Sequence, residues 1–210
     1  MKVGTDGVLL GAWAEGGARI LDIGTGTGVV ALMMAQRFPG SRVDAVEADG
    51  CAAFQAAENA AGWPQVRVHG VRLQQFEPSG PYDSIVSNPP YFSGSLHAPD
   101  AQRCLARHDV GLSFDDIVAF ASRWLTTEGV LSVVLPSEMV ERFAEEACLR
   151  GFRMCRQTLV RTVPRKPAKR QLVAFSRSVA RGFGREEQCL QRANGSRSEW
   201  YAGLTREFYL

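Results

Sequence analysis

The chain has 210 residues, 45% of them hydrophobic, and a formal net charge of +2. That length can bury a sizeable core and suits a single domain spanning 1–210. No apolar run approaches the ~20 residues of a membrane-spanning helix, and no charged-then-apolar signal opens the chain, so a cytoplasmic protein without a membrane partner is expected. Five scattered cysteines (Cys51, Cys104, Cys148, Cys155, Cys189) with no Cys-x-x-Cys pair argue for reduced thiols rather than a disulfide framework. The histidines, His97 and His108 on either side of a polar loop among them, show no metal-ligand spacing, and no metal is expected.

In chain order, the first predicted unit is Ile20-Leu21-Asp22-Ile23-Gly24-Thr25-Gly26-Thr27-Gly28, followed by an apolar helix at 29–38 that Pro39-Gly40 ends. It reads as strand, tight glycine turn and helix, the opening unit of a doubly wound sheet, where glycines allow positive φ and close approach of backbone to a ligand. Dinucleotide-binding domains use the same turn for a pyrophosphate. Asp22 points elsewhere, because a carboxylate just before the turn repels a diphosphate and suits the cationic aminopropyl end of S-adenosylmethionine. About twenty residues on, Ser41-Arg42-Val43-Asp44-Ala45-Val46-Glu47-Ala48-Asp49 predicts a second parallel strand. Glu47, which closes the apolar run, is the candidate acceptor for ribose hydroxyls, with Asp49 second, ahead of a helix at 51–61.

The run Ile85-Val86-Ser87 then leads into Asn88-Pro89-Pro90-Tyr91. An amino group on adenine, or a side-chain amide, has its lone pair drawn into a π system and is a poor nucleophile. Two fixed acceptors on its hydrogens favour a pyramidal nitrogen with the lone pair freed. Asn88 offers a side-chain oxygen and Pro89 a backbone carbonyl, held stiffly by prolines whose φ is fixed near ~−65°. Tyr91 can stack on the planar substrate. A Pro-Pro turn closing a strand is the plainer alternative.

Beyond a polar loop at 92–109, long enough to suggest function, the pattern predicts a helix at 113–126, a strand at 130–135 and a helix at 137–150. An antiparallel hairpin at 152–163 and 171–177 follows, then a flexible polar connection at 179–197 and a short helix at 198–209. Charge is divided unevenly along the chain. Residues 1–149 carry 10 of the 24 Lys and Arg and 18 of the 22 Asp and Glu, a balance of −8; residues 150–210 carry the other 14 and 4, a balance of +10. The basic part suggests a surface for a polyanion, densest on the expected hairpin tip, where Arg165, Lys166, Lys169 and Arg170 are candidate RNA contacts.

Taken together, these ordered signals make the chain resemble a class I S-adenosylmethionine-dependent methyltransferase of the N6-adenine type. The segment Lys2-Val3-Gly4-Thr5-Asp6-Gly7-Val8-Leu9-Leu10-Gly11, with Asn88-Pro89-Pro90-Tyr91-Phe92 and the ending Leu204-Thr205-Arg206-Glu207-Phe208-Tyr209-Leu210, is similar to the bacterial valine-tRNA (adenine-37) N6 methyltransferases. The resemblance implies a Rossmann-like α/β fold, mostly parallel with an antiparallel C-terminal hairpin. It also implies Thr5 and Asp6 near the methionine part of S-adenosyl-L-methionine, and Asp22, Gly24, Thr25, Gly26 and Gly28 cradling it. Glu47 would hold the ribose, Val71 and Arg72 would lie beside the adenine, and Asn88, Pro89, Pro90 and Tyr91 would hold the base of a tRNA anticodon loop. Members of that family carry a further segment before the Lys2 motif, so either the start is truncated or this member dispenses with it. Arg72 stands where relatives have a small polar or acidic residue. Rival readings are a protein glutamine N5 methyltransferase, a nicotinamide dehydrogenase and a non-catalytic RNA-binding module.

Overall fold

In the computed structural model, which describes residues 4–90 and 111–208, the apolar run after Arg19 forms strand β1 (Arg19–Ile23) in the middle of a parallel array. On one side it pairs with β2 (Arg42–Val46), and β2 with β3 (Val66–His69); on the other it pairs with β4 (Tyr82–Ser87), and β4 with β5 (Leu125–Pro136), all in parallel. Strands β6 (Arg153–Arg161) and β7 (Ala168–Ser176) form an antiparallel hairpin, and β7 runs antiparallel to β5. The eight-stranded order is β3-β2-β1-β4-β5-β7-β6-β8, with β8 (Gly184–Cys189) parallel to β6. The mostly parallel sheet with antiparallel strands near its C-terminal end agrees with the expected fold class.

Apolar runs in β1, β4 and β5 are nearly unbroken because helices cover both faces. On one face α1 (Thr5–Trp13) and α2 (Val29–Arg37) bury Leu9, Leu10, Trp13, Ala31 and Met34 over Ile20, Val86 and Val134. On the other, α4 (Phe114–Trp124) and α5 (Val140–Leu149) bury Ile117, Ala121, Phe143 and Ala147 over Ile23, Ile85, Leu131 and Leu135. Helix α3 (Gly50–Asn59) starts at Asp49, whose carboxylate accepts from Ala52 N at 2.8 Å. A reciprocal capping box of Ser113 and Asp116 opens α4, and Ser198 caps the short α6 (Glu199–Leu204). Among the described residues no helix is long and apolar enough to cross a membrane.

Two expectations need correction. The polar stretch 179–197 contains strand β8, so the hairpin is internal to the sheet. Sequence periodicity misses β8 because Gly184-Arg185-Glu186-Glu187-Gln188-Cys189 has no apolar alternation. It is held instead by its backbone ladder on β6 and by polar pairs across it: Arg161 Nη2 to Glu187 at 2.6 Å and Thr158 Oγ1 donating to Glu186 at 2.7 Å. Lys169 and Arg170, expected on the hairpin tip, lie on β7, leaving Arg165 and Lys166 in the turn. The loop 92–109, with Cys104, His97 and His108, lies outside the described residues, as do Tyr91 and the end of the expected last helix.

The C-terminal end of α1 is fixed to the far half of the sheet by Trp13. Its Nε1 donates to Thr158 Oγ1 at 2.9 Å, and the Arg156 guanidinium lies over its ring at 4.2 Å. Replacing Trp13 by Phe keeps an apolar ring but removes a buried hydrogen bond, so urea unfolding should show a loss of about 1–3 kcal/mol. Leu149→Ala, at a side chain 83% exposed, should stay within about 0.5 kcal/mol of the parent. Equal stability for Trp13→Phe and parent would contradict the assigned tie.

Candidate functional site

The glycine turn after β1 has Gly24, Gly26 and Gly28 at φ of 70°, 58° and 89°, a region that side chains with a Cβ rarely enter. Its backbone is tied across to β2, since Gly24 N and Thr25 N both donate to Val46 O, at 2.9 and 3.1 Å. From beneath, Asp22 holds the turn. One carboxylate oxygen accepts from Thr25 Oγ1 at 2.5 Å and from Ala31 N at 3.0 Å, the latter one of the N–H groups that the first turn of a helix leaves without an internal partner. Burial pushes the Asp22 carboxyl up to about 7; the bonds from Thr25 and Ala31 lower it and the nearby Glu47 raises it.

Glu47, at the end of β2, bridges two turns. Its Oε2 accepts from Gly26 N at 2.8 Å and its Oε1 from Asp49 N at 2.9 Å. Each oxygen retains a lone pair for another donor. The end of β4 is joined to the end of β1 by Ser87, whose Oγ donates to Ile23 O at 2.8 Å. That bond fixes where Asn88 leaves the sheet relative to Gly24.

These turns surround a cleft of about 620 Å³ at the C-terminal ends of the parallel strands, where open α/β sheets hold ligands. Gly24, Gly26, Glu47, Val71, Arg72, Asn88, Pro89 and Pro90 line it, so the predicted residues from four separate strand ends meet. Pro89 is buried and Asn88 half-buried. Asp22 and Thr25 lie behind the wall, both buried and bonded to each other. Gly28 faces α3, where an added Cβ would meet Ala56 at 3.4 Å. Thr5 and Asp6 open α1 outside the cleft wall, with Asp6 held by Arg170 Nε at 2.7 Å. Because Arg170 pairs with Pro136 at the end of β5, that ion pair sits at the same end of the sheet as the cleft.

Asp49, Leu73, Gln74 and Leu112 also line the cleft. Asp49, the second candidate after Glu47, combines wall and helix cap. Gln74 sits just after β3, near the strand-end position that singles out Val71 and Arg72. Leu112 carries no signal of its own, since it comes after the long loop; its side chain would lie 3.5 Å from a Cβ on Gly24. On the same end of the molecule Arg165, Lys166 and Lys169 are exposed, whereas Arg170 is engaged with Asp6.

Chemically, the cleft combines a carboxylate for hydroxyl groups, a glycine turn that admits a ligand against the backbone, and a side-chain amide beside a rigid carbonyl. Residues 4–159 match the family model described as the methyltransferase small domain. The chain is 48% identical over 219 residues to a tRNA1(Val) (adenine(37)-N6)-methyltransferase of Bacteroides fragilis, covering all of this chain and 91% of that protein. It is 38% identical to the protein of the same name from Pseudoalteromonas translucida, covering all of this chain and 92% of that one. Among solved structures, a "predicted O-methyltransferase" of Agrobacterium tumefaciens gives a TM-score of 0.75 at 19% identity over 96% of both chains. A 16S rRNA N2 methyltransferase of T. thermophilus gives 0.60 at 20% identity, over 84% of this chain and 44% of that one. The last two likenesses concern the fold alone.

The raised pKa of Asp22 has a definite effect on stability. Between the ordinary carboxylate pKa of ~4 and about 7 the folded chain binds a proton that the unfolded chain has released. Asp22 therefore favours the folded state less as pH rises through that window. Urea unfolding at pH 4.5 to 7.5 should show a downward slope in the parent that Asp22→Asn flattens, because the amide oxygen can still accept from Thr25 and Ala31 without ionising. An identical slope in both would contradict the assignment.

Proposed function

We propose, for a chain that belongs to the methyltransferase small domain family and within it to the tRNA1(Val) (adenine(37)-N6)-methyltransferases, that the cleft joins cofactor and target base across the ends of β1 to β4. The protein is an S-adenosyl-L-methionine-dependent methyltransferase acting on N6 of the adenine 3′ of the anticodon in valine tRNA. What carries the assignment of residues is the meeting of the Gly24 turn, Glu47 and the Asn88-Pro89 turn in one cleft of about 620 Å³, a size that suits a small-molecule ligand.

The residues present fit the cofactor. The positive φ of Gly24 and Gly26 leaves backbone, not side chain, at the cleft wall. Glu47, fixed by Gly26 and Asp49, keeps acceptor capacity for the ribose hydroxyls. Val71, Arg72 and Gln74 border the region for the adenine. Asp22 acts one layer back, setting the turn through Thr25 and Ala31, and Thr5 and Asp6, outside the cleft wall, are assigned to the methionine part by the family resemblance alone. When bound, S-adenosylmethionine supplies a methyl group made electrophilic by its sulfonium.

At the substrate side, Asn88 Oδ1 and the Pro89 carbonyl accept the two hydrogens of the N6 amino group and turn its lone pair toward the cofactor side of the cleft. Pro90 stiffens the carbonyl; Tyr91, the residue expected to stack on the base, lies outside the described residues. Once methylated, the nitrogen is acidic enough to lose its proton to water, so the chain's contribution is mostly positioning. An anticodon-loop adenine is easier to unstack than one in a duplex, which suits a pocket that takes the whole base. Exposed Arg165, Lys166 and Lys169 lie at the cleft end of the sheet and contact tRNA phosphates in this reading. The eight strands of one sheet support treating 1–210 as one domain, and a tRNA substrate supports a cytoplasmic location.

Asn88→Ala should lower turnover about a hundredfold or more while leaving cofactor affinity within about twofold. The measurement uses labelled S-adenosylmethionine with valine tRNA lacking the modification, followed by nucleoside analysis. Unchanged turnover would remove Asn88 from its role. For the basic turn, a triple variant Arg165→Ala, Lys166→Ala, Lys169→Ala should weaken tRNA binding and reduce the slope of log affinity against log salt by about one for each phosphate that is no longer neutralised. An unchanged slope would place the RNA elsewhere.

A further inference from the structure

At the opposite end of the sheet, where β6 and β8 begin, a second concavity of about 450 Å³ is lined by Glu15, Arg156, Arg181, Gly182, Arg185 and Glu186. Three guanidinium groups face two carboxylates there, leaving an excess of positive charge. Arg181 gives Nη1 to Glu15 at 2.8 Å and Nη2 to Glu128 O at 3.2 Å, and its Nε is buried with no acceptor among the described residues. Each of its Nη groups carries a second hydrogen, which can serve a further acceptor. Arg156, lying over Trp13, reaches Glu186 only at 3.6 Å. Arg185 is exposed and makes no ion pair among the described residues. Between two glycines of this segment stands Phe183, 59% exposed where large apolar side chains are normally covered.

We propose that this concavity holds a nucleotide phosphate, with Arg181 and Arg185 on its oxygens and Phe183 stacked on the adjoining base. Guanidinium groups match phosphoryl oxygens with parallel hydrogen bonds, and an aromatic face accepts any base. The sequence Arg181-Gly182-Phe183-Gly184-Arg185 places the two kinds of side chain in alternation, with glycines leaving the approach open. The phosphate belongs either to the tRNA, at a stretch remote from the modified adenine, or to a free nucleotide. The site is separate from the cleft and stands whether or not the cleft residues act as assigned.

Arg185→Ala and Phe183→Ala change exposed side chains far from the cleft, so both variants should melt with the parent and methylate a minimal anticodon stem-loop RNA as it does. If the phosphate is that of tRNA, each variant weakens binding of full-length tRNA about tenfold, Arg185→Ala flattens the salt dependence by about one, and stem-loop binding does not change. If it is a free nucleotide, adenosine 5′-monophosphate added with the cleft saturated by S-adenosylhomocysteine shifts the backbone amide resonances of 181–185 in the parent but not in Arg185→Ala, and tRNA binding is unaltered. Either result supports the site. Full tRNA affinity in both variants together with no nucleotide response in the parent overturns it, and because the nucleotide titration involves no methyl transfer, its outcome is separable from any failure at Asn88.

Discussion

A carboxylate almost closed to water, Asp22, sets the geometry on which the cleft depends. It sits where a strand must hand over to a helix through a turn of three left-handed glycines, a backbone with no regular ladder to hold it. One oxygen gathers Thr25 from the turn and Ala31 from the helix, so turn and helix start move as one piece. Placing such a group inside a protein works against its ionised form, which is why burial dominates its titration. The arrangement persists because removing the carboxylate would leave two buried donors without a partner.

Around that anchor the remaining parts are joined by single bonds of high leverage. Glu47 ties the glycine turn to the start of α3, and Ser87 ties the ends of β1 and β4. Three strand ends are thereby registered to one another before any ligand arrives. For a reaction in which the enzyme mainly aligns two partners, such rigidity is the relevant property, since a misplacement of about 1 Å can cost about a hundredfold in rate.

Much of this is legible in the sequence, for reasons that differ by residue. Strand, turn and helix around Gly24 are written in apolar spacing and glycine content, and the Asn88 turn is written in its prolines. Glu47 can be chosen because it ends an apolar run. The inward direction of Asp22 cannot, because a residue before a turn points to either side with the same letters. Leu112 stands beside Gly24 although 88 residues separate the two in the chain, and periodicity carries no such information. Strand β8 escapes a reading by pattern because charge pairs and a neighbour's backbone, rather than an apolar face, hold it in place. Arg170 reads as part of a loop, but its partner lies 164 residues away on α1.

The two strands that border the sheet, β3 and β8, have a consequence for the protein in a crowded solution. A free strand edge is a template for pairing with another copy, and a long, flat, apolar edge invites it. Here the borders are only four and six residues long. Exposed Arg67 lies on the first and exposed Arg185 and Glu187 on the second. A strand from a second molecule docking there would have to strip water from those charges. The apolar interior of the sheet is thus kept from growing by strand addition at either border.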